Sequence, residues 1–197
     1  MAALPPSQPS NPSLPEPRPP APRSALHLVV MGVSGSGKTT LATLLGERLG
    51  WATAEADDFH PPSNIAKMAA GTPLDDADRW LWLAAIRDWM DGHSASGTGT
   101  VVTCSALKRS YRDLLRQADG TVRFIHVTGA PSTIARRMEH RAGHFMPPAL
   151  LPSQLLALEP LEADEEGITL PNDTTPEDLA DRALAALGLQ HGGGPDR

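Results

Sequence analysis

Gly32-Val33-Ser34-Gly35-Ser36-Gly37-Lys38-Thr39 follows the spacing G-x-x-x-x-G-K-[ST]. It comes after the apolar run His27–Met31 and opens a stretch, Gly37–Leu49, with Leu41, Leu44, Leu45 and Leu49 at helical spacing. A strand, a glycine loop and a helix in that order form a cradle for phosphate. Glycines let backbone N–H groups turn inward around anionic oxygens. The helix N-terminus, with Thr40 beside it, adds the positive end of its dipole. Lys38 is placed to reach the β- and γ-phosphates of a nucleoside triphosphate, and the Thr39 hydroxyl to ligate Mg²⁺.

This loop serves kinases, GTPases and motor ATPases alike. A GTPase needs an N-K-x-D base reader, and the chain has none; Ser105-Ala106-Leu107, with no such element before it, is a chance match. At 197 residues the chain is short for a motor. A small kinase remains, and it needs an acceptor side. Glu55-Ala56-Asp57-Asp58-Phe59-His60-Pro61 follows the second short strand, Trp51–Ala56. A carboxylate there can accept or orient the proton of an attacking hydroxyl. Composition alone allows a helix N-cap or a solvated loop acid equally well.

Further blocks make the pattern more specific. Asp57-Asp58-Phe59-His60-Pro61 is followed by Asn64-Ile65-Ala66-Lys67-Met68 and Gly71-Thr72-Pro73-Leu74-Asp75-Asp76-Ala77-Asp78-Arg79. Then come Cys104-Ser105-Ala106-Leu107-Lys108 with Tyr111-Arg112-Asp113, and Arg137-Met138-Glu139-His140-Arg141-Ala142-Gly143-His144-Phe145. Gln154 and Leu158-Glu159-Pro160-Leu161-Glu162-Ala163-Asp164-Glu165 close the series. Together, from about Leu28 to Leu170, these blocks resemble the gluconate kinase family. The resemblance implies ATP-dependent phosphorylation of D-gluconate at its 6-hydroxyl. It also implies a P-loop fold like that of nucleoside monophosphate kinases and shikimate kinase, a helical lid over about residues 137–160, and a homodimer. Two departures stand out: Ala56 replaces a glycine common before the catalytic aspartate, and Trp80-Leu81-Trp82-Leu83 lacks the family's proline.

On that resemblance Asp57 is the catalytic carboxylate, with Asp58 turned to solvent. His60 either hydrogen-bonds a sugar hydroxyl or closes the turn before Pro61. Arg79, Lys108 and Arg112 bring positive charge to the acceptor side, where arginine forks suit a carboxylate. Lys108 and Arg112 lie four apart, so one helical face can present both. Ser105 is placed to position substrate or a metal-bound water at the end of a strand that carries no aspartate there. Arg137 and Arg141 are also four apart, with Gly143 and His144 behind them. Such a group gives a lid cations for developing charge and a flexible hinge. The site thus comprises Lys38, Asp57, Arg137 and Arg141 for catalysis, Gly32 to Thr40 for nucleotide, and Asp57, His60, Arg79, Ser105, Lys108, Arg112 and His144 for the acceptor. A shikimate- or nucleotide-type kinase and a nucleotide-dependent binding protein remain as alternatives.

Strands alternating with helices must hold these residues. Strands are expected at His27–Met31, Trp51–Ala56, Thr100–Cys104, Val122–Val127 and Gly167–Leu170. Helices are expected at Gly37–Leu49, Asp75–Met90, Leu107–Arg116, Pro131–Arg141, Leu150–Leu158 and Pro176–Leu187, the last N-capped by Thr175. This order implies an α/β fold, a parallel sheet covered on both faces in a three-layer αβα sandwich, with ligands at the carboxyl ends of the strands. Trp82 and Trp89 share a helix face and should pack in the core, whereas Trp80 falls off it. Cys104 reads as a small buried residue.

The kinase domain spans residues 25–190. Before it, residues 1–24 hold nine prolines and no apolar periodicity, the composition of a disordered tail. Residues 191–197 are glycine-rich and read as flexible. A single cysteine rules out an internal disulfide and favours a reducing, cytoplasmic setting. No apolar run nears the roughly 20 residues of a membrane span, and Met1–Arg23 lacks the features of a secretory signal. A net charge of −6 argues against nucleic acid as a partner.

Overall fold

The sheet is built outward from its most apolar strand. In a computed structural model that describes residues 25–139 and 151–190, β1 (Leu26–Met31) lies between β3 (Thr100–Cys104) and β4 (Thr121–Thr128). β2 (Ala52–Glu55) pairs with β3, and β5 (Gly167–Pro171) with β4, all parallel, in the order β2-β3-β1-β4-β5. The register aligns the carboxyl ends: Met31 stands level with Cys104 and His126, and Glu55 with Thr103. The loops after β1, β2, β3 and β4 therefore open on one edge of the sheet.

Alternation along the strands sorts side chains to two faces. Leu28, Val30, Val101, Ile125 and Val127 face α1 (Lys38–Leu49) and α7 (Pro176–Leu187). Val29, Met31, Val102, Cys104 and Phe124 face α3 (Asp76–Ser94) and α4 (Arg109–Leu115). Helices on both faces and a wholly parallel sheet give the three-layer αβα sandwich. A third, smaller cluster joins Val33 and Leu107 to α5 (Pro131–Glu139) and α6 (Leu151–Ala157). It brings apolar side chains against the phosphate loop.

Expected and observed elements agree to within a few residues, with Asp75 outside α3 as its cap. The Asp75 side chain accepts from the Asp78 N–H at 2.9 Å, and Asp78 returns the bond at 3.0 Å, a complete capping box. Thr175 caps α7 as expected. α2 (Pro62–Ala69) is a helix that apolar spacing does not announce, because its one buried side chain is the polar Asn64. Trp82 is buried and Trp89 packs on the same cluster, as expected of a core face, while Trp80 is exposed and meets Tyr111 edge-on. The stretches 1–24 and 191–197, and the lid residues Arg141, Gly143 and His144, lie outside the described residues.

Candidate active site

The phosphate loop bends where glycine permits it. Gly32, Gly35 and Gly37 have φ of +136°, +77° and +104°. A Cβ on Gly32 would stand 2.6 Å from the Val127 carbonyl, so the first glycine is required by space as well as by conformation. Its N–H donates to the Ser105 carbonyl at 3.3 Å, which ties the loop to the chain leaving β3. Lys38 folds back and donates to Val33 O at 3.0 Å. The Ser36 hydroxyl is buried, and it is the one buried side-chain oxygen or nitrogen among the described residues without a hydrogen-bond partner. Such an atom costs stability unless a ligand engages it. Loop shape and orphaned hydroxyl together fit a bound polyphosphate.

A cation accompanying that polyphosphate would find Thr39, half-buried at the helix start. Among the described residues, no group of three or more His, Cys, Asp and Glu side chains is arranged to hold a metal.

Across the cleft, Asp57 sits exposed in a single 3₁₀ turn, Ala56–Phe59, directly after β2. The turn is pinned from below, where the Trp82 indole N–H donates to the Ala56 carbonyl at 2.6 Å. His60 stacks on the same indole, with ring centroids 4.6 Å apart, and Asn64 Nδ2 lies 3.4 Å from its Nδ1. Burial lowers the His60 pKa below its usual value; the Asp57 charge opposes this and the Arg79 charge adds to it. The imidazole is therefore neutral at pH 7 and lies within electrostatic reach of both residues. Cys104 marks the other side. Burial pushes its thiol up to about 12, too high for a nucleophile, and the thiol senses both the Lys38 ammonium and the Asp57 carboxylate. Because β3 lies between β1 and β2, the loop that carries Lys38 and the turn that carries Asp57 open on either side of its carboxyl end.

Beyond Asp57 lies a charged group centred on Asp76. Its carboxylate accepts from Tyr111 Oη at 2.5 Å, from Lys108 Nζ at 2.9 and 3.0 Å, and from Arg79 at 3.3 Å. These bonds, Tyr111 first and then Lys108, hold its pKa below the usual carboxylate value. Asp76 in turn raises the Lys108 pKa. Arg79 and Lys108 therefore meet through an aspartate and a tyrosine that residue type alone does not single out.

Arg112 corrects an expectation. It does not share an exposed face with Lys108, which is the N-cap of α4. Arg112 is fully buried and forms a fork on Glu165, with Nε at 2.5 Å and Nη2 at 2.8 Å. Its remaining donors serve the carbonyls of Ala106, Leu107, Glu159 and Pro160. A guanidinium so committed holds the chain after α6 and has no donor left for a substrate. Ser105 is half-buried at the end of β3, where its carbonyl anchors Gly32. Glu55, one residue before the turn, accepts from the Thr103 hydroxyl at 2.6 Å; position at a strand's carboxyl end was the signal that could have marked it.

On the far side of the loop, a cleft of about 480 Å³ opens between the carboxyl ends of β4 and β5, lined among others by Thr128, Gly129, Pro171 and Asn172. A second, of about 260 Å³, continues to Gly37, Thr40 and Leu41. Arg137 lines both clefts and is exposed at their junction.

Known proteins are similar to this chain in sequence and in fold. Residues 28–146 match the AAA domain family. A gluconokinase of Gluconobacter oxydans is 51% identical over 150 residues, covering 76% of this chain and 84% of that protein. The structure of a sugar kinase from a Janibacter species superposes with a TM-score of 0.79 at 52% identity, over 84% of this chain and 95% of the other. A gluconokinase from Sinorhizobium meliloti superposes at 0.73 with 45% identity, over 84% and 93% of the two chains.

Proposed function

The chain belongs to the gluconokinase family of P-loop kinases, and from that premise we propose how its residues divide the work of ATP-dependent phosphorylation of D-gluconate at the 6-hydroxyl. The observation that carries the reading is the sheet register, which brings the Lys38 loop after β1 and the Asp57 turn after β2 to either side of the end of β3, together with the Arg79–Asp76–Lys108–Tyr111 group. Phosphates lie in the Gly32–Thr39 cradle, and the nucleoside extends toward the cleft lined by Gly129, Arg137 and Asn172. Thr39 would contribute a protein ligand to Mg²⁺, which would neutralise phosphate charge. Asp57 orients the 6-hydroxyl and takes its proton as the oxygen attacks. Lys38 and Arg137 face the charge that develops on the transferring group. Arg79 and Lys108 meet the gluconate carboxylate, and neutral His60 accepts or donates at a hydroxyl. Arg141 for the developing charge and His144 for the acceptor belong to the same proposal from the sequence alone. Ser105 lies beside the acceptor.

The test is ADP release over a panel of acceptors: gluconate, gluconolactone, shikimate, glycerate and nucleoside monophosphates. Turnover with gluconate well above all others is the expected result. Turnover with a nucleotide and none with gluconate would overturn the assignment. The proposal extends to a cytoplasmic homodimer whose 1–24 stretch is dispensable for chemistry. Sedimentation measures the first point, and unaltered kinetics after deletion of residues 1–23 the second.

A further inference from the structure

Two backbone groups of the phosphate loop are held by side chains from distant parts of the chain. The Ser34 N–H donates to Gln154 Oε1 at 2.7 Å, across 120 residues. The Ser36 carbonyl accepts from Asn172 Nδ2 at 2.7 Å, across 136 residues. Both partners are carboxamides, and they hold successive parts of one short loop. We propose that Gln154 and Asn172 bracket the phosphate loop and act as positioning residues for phosphoryl transfer, setting its shape before nucleotide arrives.

Each half of the bracket is itself anchored. Gln154 is nine-tenths buried on α6. Leu151 of the same helix packs in the cluster with Val33, Ile134 and Met138. Nε2 of Gln154 also lies 3.4 Å from the Ser34 hydroxyl, so one amide engages both the N–H and the hydroxyl of Ser34. Downstream of α6, the chain is fastened to α4 by the buried Arg112–Glu165 fork and by the Arg109 N–H on Glu159. Asn172 is held by its own N–H, which donates to the Thr128 carbonyl at 2.8 Å. Its side chain lies under Gly37, where an added Cβ would collide with it.

The residue type has a reason. A loop with three glycines at positive φ keeps a fixed shape only if something outside holds it. Ser36 is fully buried, so its carbonyl needs a donor from protein. A lysine or arginine would supply one but would draw the phosphates to itself. An aspartate or glutamate at either place would repel them. A neutral amide satisfies the backbone and leaves the field of the cradle to Lys38 and the helix N-terminus. Asn172 also lines both clefts, so the bracket links loop shape to the nucleoside side of the site.

The inference rests on the loop holding ATP, so its test reads nucleotide binding apart from turnover. Calorimetry with a non-hydrolysable ATP analogue gives Kd for wild type, Gln154→Ala, Asn172→Ala, Gln154→Glu and Asn172→Asp; steady-state kinetics give KM for each substrate, and melting gives Tm. Each alanine variant should weaken analogue binding about 5- to 50-fold while KM for gluconate stays within about twofold. Asn172→Asp should bind worst near about pH 8 and improve as the pH falls toward about 4.5, where a growing fraction of the carboxyl is protonated and can again donate to the Ser36 carbonyl. Gln154→Glu keeps the acceptor for Ser34 but adds charge, and should recover in the same direction. If the alanine variants do not fold, these two isosteric variants carry the test. Unchanged Kd in the variants, or an equal loss for both substrates with no pH-dependent recovery, overturns the bracket. A wild-type chain that binds no analogue overturns the reading of the loop itself, and the bracket with it.

Discussion

Asp57 and Arg112 show how differently two charged residues can serve one site. Asp57 is exposed on a short turn held by Trp82, directly after β2. Its work is on the reacting hydroxyl, so Asp57→Asn should lower kcat by about 10²–10⁴. Binding of an ATP analogue should stay within about threefold of wild type. An unchanged kcat would remove Asp57 from the chemistry. Arg112 is the opposite case. It and Glu165 are both fully buried, and removing one partner leaves an unpaired charge in the interior. Arg112→Leu should cost about 3–5 kcal/mol, read in denaturant unfolding. KM for gluconate in the folded fraction should be unaltered. A raised KM at unchanged stability would restore Arg112 to the acceptor site.

At the scale of elements, the site depends on how helices begin. The capping box of α3 orders Asp75 and Asp78 around Asp76, which anchors Lys108, Tyr111 and Arg79. Asp75→Ala should therefore act twice. It should cost about 1 kcal/mol as a lost cap, lowering Tm by about 2–4 °C for a domain of this size. It should also raise KM for gluconate, because Asp76 begins the helix that the cap defines. A fall in Tm with KM for gluconate unmoved would separate the cap from the site. The phosphate loop is stricter. Gly32→Ala puts a Cβ 2.6 Å from a strand carbonyl at a φ that alanine avoids, and it should abolish ATP binding in calorimetry.

For the molecule as a whole, pH dependence follows from three histidines whose pKa values are lowered by burial: His27, His60 and His126. His27 is enclosed by Thr100, Ser94 and the Asp119 carbonyl, at the end of the sheet away from the site. The unfolded chain protonates its histidines near about pH 6.5, before the folded chain does. Stability is therefore whole above that pH and falls as pH drops below it. Asp76, Asp78, Asp164 and Glu165 have lowered pKa values, and their contribution is lost only at more acid pH, below about 4. Melting in buffers of matched ionic strength should show Tm falling from about pH 7.5 to about pH 5.5. A flat Tm over that range would contradict the burial assigned to these rings.

The phosphate loop, the strand-helix alternation and the cap at Thr175 were legible because each is local. Glycine's φ range, the 3.6-residue spacing of leucines and a hydroxyl before a helix act over a few neighbours, and those neighbours are written in order. α2 escaped that logic because it buries an asparagine rather than an apolar stripe. Partnership was the other gap. Whether Arg112 meets substrate or Glu165, 53 residues on, depends on where α4 and the chain after α6 come together. The amides of Gln154 and Asn172 reach the loop from 120 and 136 residues away. Chain order determined which chemistry this protein carries. Only the packed fold decided which polar groups do that chemistry and which hold the others in place, because a buried charge or carbonyl takes whatever partner packing brings within hydrogen-bond reach.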